Sequence, residues 1–191
     1  MPTGRLEAFS DGVLAILITI MVLELKVPHG GDLEALRGEL PIFLSYVLSF
    51  VFIGIYWNNH HHMLHTVEQV SGGILWANLH LLFWLSLIPV TTAWMGEHHL
   101  APIPTAVYGV VLLASGLAYL LLQRAIVHKQ GPRSKLKALI GRDVKGKASA
   151  VLYSGAVLLA FVHTLLAQII YALVATMWLV PDPRIESKLN G

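Results

Sequence analysis

The sequence predicts an all-α integral membrane protein: six transmembrane helices in one domain over residues 1–191. Three observations predict it. Apolar residues make up 55% of the chain and charged residues 13%, against roughly 25% charged in soluble domains. Four long stretches carry no charge at all: Leu40–Val67, Gln69–Gly96, Leu100–Gln123 and Ala148–Pro181. Eight of the thirteen Lys and Arg residues fall in a single connection, Gln123–Lys147. A soluble helical core would need a polar outer layer, and these stretches have none. The composition also removes other classes. The chain is too apolar for a disordered one. It has no cysteine, which excludes a disulfide scaffold and a thiolate metal site. Thirteen basic residues placed this way cannot cover a nucleic-acid face.

A span needs about 20 mostly apolar residues at 1.5 Å rise. The first is expected at about 6–27, bounded by charges at both ends. The second is expected at 41–65, the third at 73–95 and the fourth at 102–127. Pro89 should kink the third. The last charge-free stretch holds 34 residues, about 51 Å as one helix, which suits two short spans at 147–162 and 164–180. A break near Phe161–Leu165 would divide them. The first span lacks a small-x-small cleavage site and should be retained.

Orientation follows from the basic residues. Arg124, Lys129, Arg133, Lys135, Lys137, Arg142, Lys145 and Lys147 share one connection, and Arg5, Arg184 and Lys188 lie near the ends. Lys26 and Arg37 are left for the opposite side. Both termini are expected in the cytoplasm. The basic connection also has the composition of a surface for acidic lipid.

The first span is unusual. Only twelve residues separate Asp11 from Glu24, about 18 Å of helix against a hydrocarbon core of about 30 Å. Glu7, Asp11 or Glu24 must reach the hydrocarbon edge, where a charge facing lipid is costly, so these groups are expected to face protein or water. At 100° per residue, Gly12, Ile16, Thr19, Ile20, Leu23 and Val27 fall in a sector of about 80°. Ser10 and Asp11 lie outside it. The stripe reads either as a helix-packing face or as a pore wall that closes by dewetting.

Polar partners for Asp11 stand at the same end. The second span finishes Tyr56-Trp57-Asn58-Asn59-His60-His61-His62-Met63-Leu64-His65, and Asn78 and His80 begin the third. Trp57, His61 and His65 share a face at i, i+4 spacing. Asn, His and Trp side chains can donate to a carboxylate, so a polar knot between the first three spans is expected. The spacings His61/His65 and His62/His65 could chelate, but Glu68 is the nearest carboxylate in sequence, and the expectation is no metal. No nucleophile elbow, phosphate loop, zincin motif or Thr-Val-Gly-Tyr-Gly filter is present. An enzyme is not expected.

These residues carry a resemblance. Arg5-Leu6-Glu7-Ala8-Phe9-Ser10-Asp11-Gly12 resembles the Arg-x-x-x-Phe-Ser-Asp signature that opens the first helix in the prokaryotic relatives of the lysosomal potassium channel, transmembrane protein 175. Tyr56 to His61 resembles the end of that family's second helix, Asn78 to Pro89 its third, and Trp178 to Glu186 its sixth. The resemblance implies a homotetramer in a prokaryotic plasma membrane, with the first helix lining a central pore for potassium and other monovalent cations. It places apolar rings at Ile16 and Leu23, with Thr19 or Ile20 between, and it implies no cofactor. It implies a structural polar network of Arg5, Phe9, Ser10, Asp11, Trp57, Asn58, His61 and Asn78. A ring of Glu24 would draw cations to the outer mouth. Two other readings remain at this point. One is a small carrier or metal transporter using the second-span histidines. The other is a non-conducting scaffold or sensor.

Overall fold

The computed structural model describes residues 3–141 and 143–179. Arg142 and the Trp178–Glu186 ending beyond residue 179, with Arg184 and Lys188, lie outside the described residues. Eight α-helices follow in chain order: α1 Thr3–Leu23, α2 Leu33–Leu64, α3 Gly72–Ser86, α4 Ile88–Glu97, α5 Pro102–Gln130, α6 Lys135–Ile140, α7 Val144–Leu159 and α8 Thr164–Leu179. Four segments, α1, α2, α3 with α4, and α5 with the short turn after it, are long and apolar enough to cross a bilayer. Large apolar side chains stand exposed along α2, α5, α7 and α8, among them Phe50, Leu117, Leu158 and Leu173. An outer surface of this kind is stable in lipid and unstable in water. The chain is a multi-pass membrane bundle.

Helix starts follow their caps. Asp32 accepts from the Ala35 amide at 2.9 Å and starts α2 eight residues before the expected 41. Ser71 caps α3, and Pro102 opens α5 where its missing N–H costs nothing. Asp143 caps α7 through the Gly146 amide at 3.2 Å.

The end of α1 differs from expectation. The helix stops at Leu23, not at 27. Val27 precedes Pro28, which disfavours the helical region, and Lys26 leaves the helix axis to pair with Glu97 at the end of α4. That contact, by hydrogen bond first and charge second, raises the Lys26 ammonium above its ordinary pKa.

The third expected span is interrupted. Leu87 separates α3 from α4, with Pro89 in the first turn of α4. Proline has no N–H to donate and its ring crowds the carbonyl four residues back. Hydroxyls bond the carbonyls around this break: Thr91 donates to Leu87 at 3.0 Å and Thr92 to Ile88 at 2.6 Å. Thr92 Oγ1 also lies 2.6 Å from Ser49 Oγ of α2, which lies 2.8 Å from Tyr108 OH of α5. With the Thr92 proton committed to Ile88, the direction is fixed: Tyr108 donates to Ser49, and Ser49 donates to Thr92. This buried relay joins three helices.

Gly96 and Gly109 allow close approach. A Cβ on Gly96 would sit 2.9 Å from the Ile42 backbone, and one on Gly109 would overlap the Tyr171 hydroxyl. The last charge-free stretch divides at Ala160–His163, and α7 and α8 form an antiparallel hairpin. Trp178 donates to Ser149 at 2.8 Å near one end, and Tyr171 donates to the Thr105 carbonyl at 3.2 Å toward the other.

The two ends of the bundle carry different chemistry. At one end Thr3 donates to Val67, Gln130 donates to Thr66, and Lys135 pairs with Glu68 at 2.9 Å. The N-terminal turn, the α2–α3 connection and the basic segment therefore gather together. Lys135, by hydrogen bond and then charge, holds the Glu68 carboxyl below its usual range. The α1–α2 and α4–α5 connections meet at the other end through Lys26 and Glu97.

Candidate functional site on the first helix

Helix α1 has two faces. Leu6, Ser10, Leu14, Leu17 and Met21, spaced by three and four residues, are buried against α2, α3 and α4. The predicted stripe lies on the other side. Gly12, Ile16, Thr19, Ile20 and Leu23 are all exposed, Ile16 to 59% and Leu23 to 77%. Nothing among the described residues covers this face, so it is not the face by which α1 packs on its own chain. Thr19 donates to the Ala15 carbonyl at 3.0 Å, which leaves its oxygen lone pairs turned outward. Glu24 stands exposed just past the helix, and Val27 beyond it.

The buried face carries a polar anchor. Ser10 donates to the Leu6 carbonyl at 2.8 Å, so its oxygen is an acceptor for any other partner. Asn78 Nδ2 donates to it at 3.0 Å. That orientation turns Asn78 Oδ1 toward His60, whose Nε2 lies 2.6 Å away and therefore carries the proton. The result is one directed chain, His60 to Asn78 to Ser10 to Leu6, joining α2, α3 and α1. Its three side chains are at most 1% exposed. His60 Nδ1 is buried with no partner, which fits a bare lone pair on the neutral ring.

A second layer lies toward the helix start. Trp57 Nε1 donates to Asp11 Oδ1 at 3.1 Å. His61 Nδ1 meets Glu7 Oε1 at 2.9 Å. Trp57 stacks on His61 at 6.3 Å between ring centroids, and His61 meets the His65 ring edge-on at 4.6 Å. Thus Ser10, Asp11, Trp57, His61 and Asn78 are drawn to one region between three helices. Arg5, Phe9 and Asn58 are exposed there and make no side-chain hydrogen bond among the described residues. Of the consecutive histidines, His60 is the buried one that reaches Asn78, a member that the sequence reading passed over. Spacing alone does not single it out, because His60 at i, i+3 and His61 at i, i+4 both neighbour Trp57 on the helix surface. The sequence likewise marks Glu7 only as a charge at the hydrocarbon edge, and the fold makes it the partner of His61. Glu7, His61 and His65 are the group among the described residues whose donor atoms could hold a metal ion.

Bonds on α1 are distributed unevenly. Thr3, Glu7, Ser10 and Asp11 each bond to α2, α3 or the segment between them. From Leu14 to Met21 the described residues hold the helix by apolar contact alone. Among the described residues, the half carrying Ile16, Thr19 and Leu23 has no polar tether to its neighbours.

Comparison with known proteins gives the family. Residues 5–89 match the family described as the endosomal/lysosomal potassium channel TMEM175. A potassium channel of a Chryseobacterium species is 53% identical over 190 residues, covering 100% of this chain and 99% of that one. A potassium channel of Streptomyces collinus is 34% identical, with 97% of each chain covered. The crystal structure of a lysosomal potassium-selective channel TMEM175 homolog from Chamaesiphon minutus superposes with a TM-score of 0.79 at 30% identity, over 92% of this chain and 95% of that one. The family match over residues 5–89, near-complete coverage and one bundle architecture place the chain among the prokaryotic members of the TMEM175 family.

Proposed function

We propose that this protein is a potassium-permeable cation channel of a prokaryotic plasma membrane. Four subunits, each crossing six times with α7 and α8 as the last two spans, would surround a pore lined by α1. Ile16 and Leu23 form the apolar constrictions, Ile20 completes the wall, Thr19 offers its outward lone pairs to a dehydrating cation, and Glu24 concentrates cations at the outer mouth. Arg5, Phe9, Ser10, Asp11, Trp57, Asn58, His61 and Asn78 form the supporting region, in which the bonded members fix one end of α1. Both termini face the cytoplasm, where the basic segment lies.

The observation that carries this reading is the uncovered face of α1. A helix whose every polar anchor points to its own chain presents to its surroundings a glycine, an apolar ladder and one hydroxyl. Packing against lipid would not need Thr19 or a terminal carboxylate. The full-length relationship to two chains named as potassium channels points the same way.

The test is flux. Purified protein in liposomes should pass potassium faster than sodium when a gradient is imposed, with single-channel events in planar bilayers. A saturable flux that requires His61 or His65 would favour a carrier. No flux of potassium, sodium or protons would leave a scaffold.

A further inference from the structure

The anchor contains a group of donors that the pore does not use. Glu7 of α1, His61 of α2 and His65, which caps α2, bring one ligand atom each to within 4.8 Å of one another. Tetrahedral zinc sites place such atoms about 3.3 Å apart, with each about 2.0–2.1 Å from the metal. Small side-chain rotations close that difference, because the group is not boxed in. Glu7 and His61 side chains are 25% and 39% exposed, and His65 is exposed at the helix end.

The parts are suited to a metal. His61 and His65 stand one turn apart on the same face, which turns both rings to one point. A carboxylate from another helix already contacts the first ring at 2.9 Å. No lysine or arginine side chain bonds Glu7 among the described residues. Two imidazoles and one carboxylate are a donor set for zinc and its first-row neighbours, not for magnesium or calcium. A fourth position remains open to water.

We infer that Glu7, His61 and His65 form a binding site for a divalent transition-metal ion, of the zinc class, that bridges the first and second helices at the basic end of the bundle. The site lies one turn before Asp11, so an ion there ties the start of α1 to α2. Each subunit carries its own copy.

Zinc titration of the full-length protein, purified without a histidine tag and followed by calorimetry, tests this. Magnesium is the control ion. The parent chain should bind zinc but not magnesium, and zinc should raise its melting temperature. His65→Ala removes a ligand whose side chain makes no hydrogen bond among the described residues, so it should fold normally. It should weaken zinc binding at least tenfold and abolish the melting shift. Glu7→Gln should weaken binding by a similar factor. His98→Ala with His99→Ala, at the opposite end, should leave both readouts unchanged. Absent zinc binding in the parent, or unaltered affinity in His65→Ala, would overturn the site. Binding is read without conduction, so failure here leaves the channel reading intact.

Discussion

Replacing Asn78 with leucine tests the central joint of the anchor. The side chain is fully buried and bonds on both sides. Leucine has a similar volume, so the change acts through polarity. Two losses follow. His60 Nε2–H, already on a ring whose other nitrogen has no partner, is left unpaired at a cost of about 1–3 kcal/mol. Ser10 keeps its own bond to Leu6 and loses one incoming donor, about 0.5–1.5 kcal/mol. Together these come to about 1.5–4.5 kcal/mol. Inter-helix hydrogen bonds measured in membranes often return less, averaging about 0.6 kcal/mol, so about 1 kcal/mol is the floor. The assay is unfolding free energy in mixed micelles, for Asn78→Leu, His60→Leu and the double variant. Removing both partners strands neither, so the double should cost less than the sum of the singles by about 1–2 kcal/mol. A cost below about 0.5 kcal/mol for Asn78→Leu, or strict additivity, would refute the directed chain.

Other expectations concern the pore face, the packing and the ends. Ile16→Asn should wet the constriction, raising single-channel conductance and lowering potassium over sodium selectivity in bilayer recordings; unchanged currents would remove Ile16 from the gate. Ser49→Ala breaks the centre of the hydroxyl relay and should destabilise more than Tyr108→Phe, which removes one bond worth about 0.5–1.5 kcal/mol; equal losses in micelle unfolding would argue against the assigned direction. Gly109→Ala drives a methyl into the Tyr171 hydroxyl and to 2.8 Å from Val157, an overpacking of about 1–3 kcal/mol, to be read as a lower thermal midpoint. Glu68 has a lowered carboxyl pKa, so its pairing contributes above the ordinary carboxylate pKa and fades as pH falls through the folded value. Both partners are exposed, so Lys135→Ala should leave melting unchanged at neutral pH in 0.15 M salt; a large loss there would show that the α2–α3 connection depends on this ion pair.

Sequence and structure divide the explanation along physical lines. Span positions were legible because the bilayer imposes a length, and a run of about 20 residues without charge satisfies it regardless of neighbours. The division of the last charge-free stretch into two helices was legible from its length. The start of α2 was missed because a cap at Asp32 lengthens a helix beyond its apolar part. The end of α1 was overrun because hydropathy continues to Val27 while Pro28 and the Lys26–Glu97 pair do not allow the helix to. The isolated hydroxyls Ser49, Thr92 and Tyr108 were a visible signal, since a lone polar group in an apolar span needs a partner, but nothing local says which partner.

For α1, periodicity by itself determined which residues share a face, because helix geometry fixes that at 100° per residue. It could not determine which face is buried. In a membrane both the packed and the lipid-exposed sides are apolar, so hydrophobicity does not distinguish them. Only the tertiary structure decided that Leu6, Ser10, Leu14, Leu17 and Met21 turn inward and that the stripe from Gly12 to Leu23 turns out. It also decided which histidine is used. His60, His61 and His62 are equivalent by composition, and the placement of α2 beside α1 and α3 is what buries the first against Asn78, bonds the second to Glu7 and leaves the third exposed.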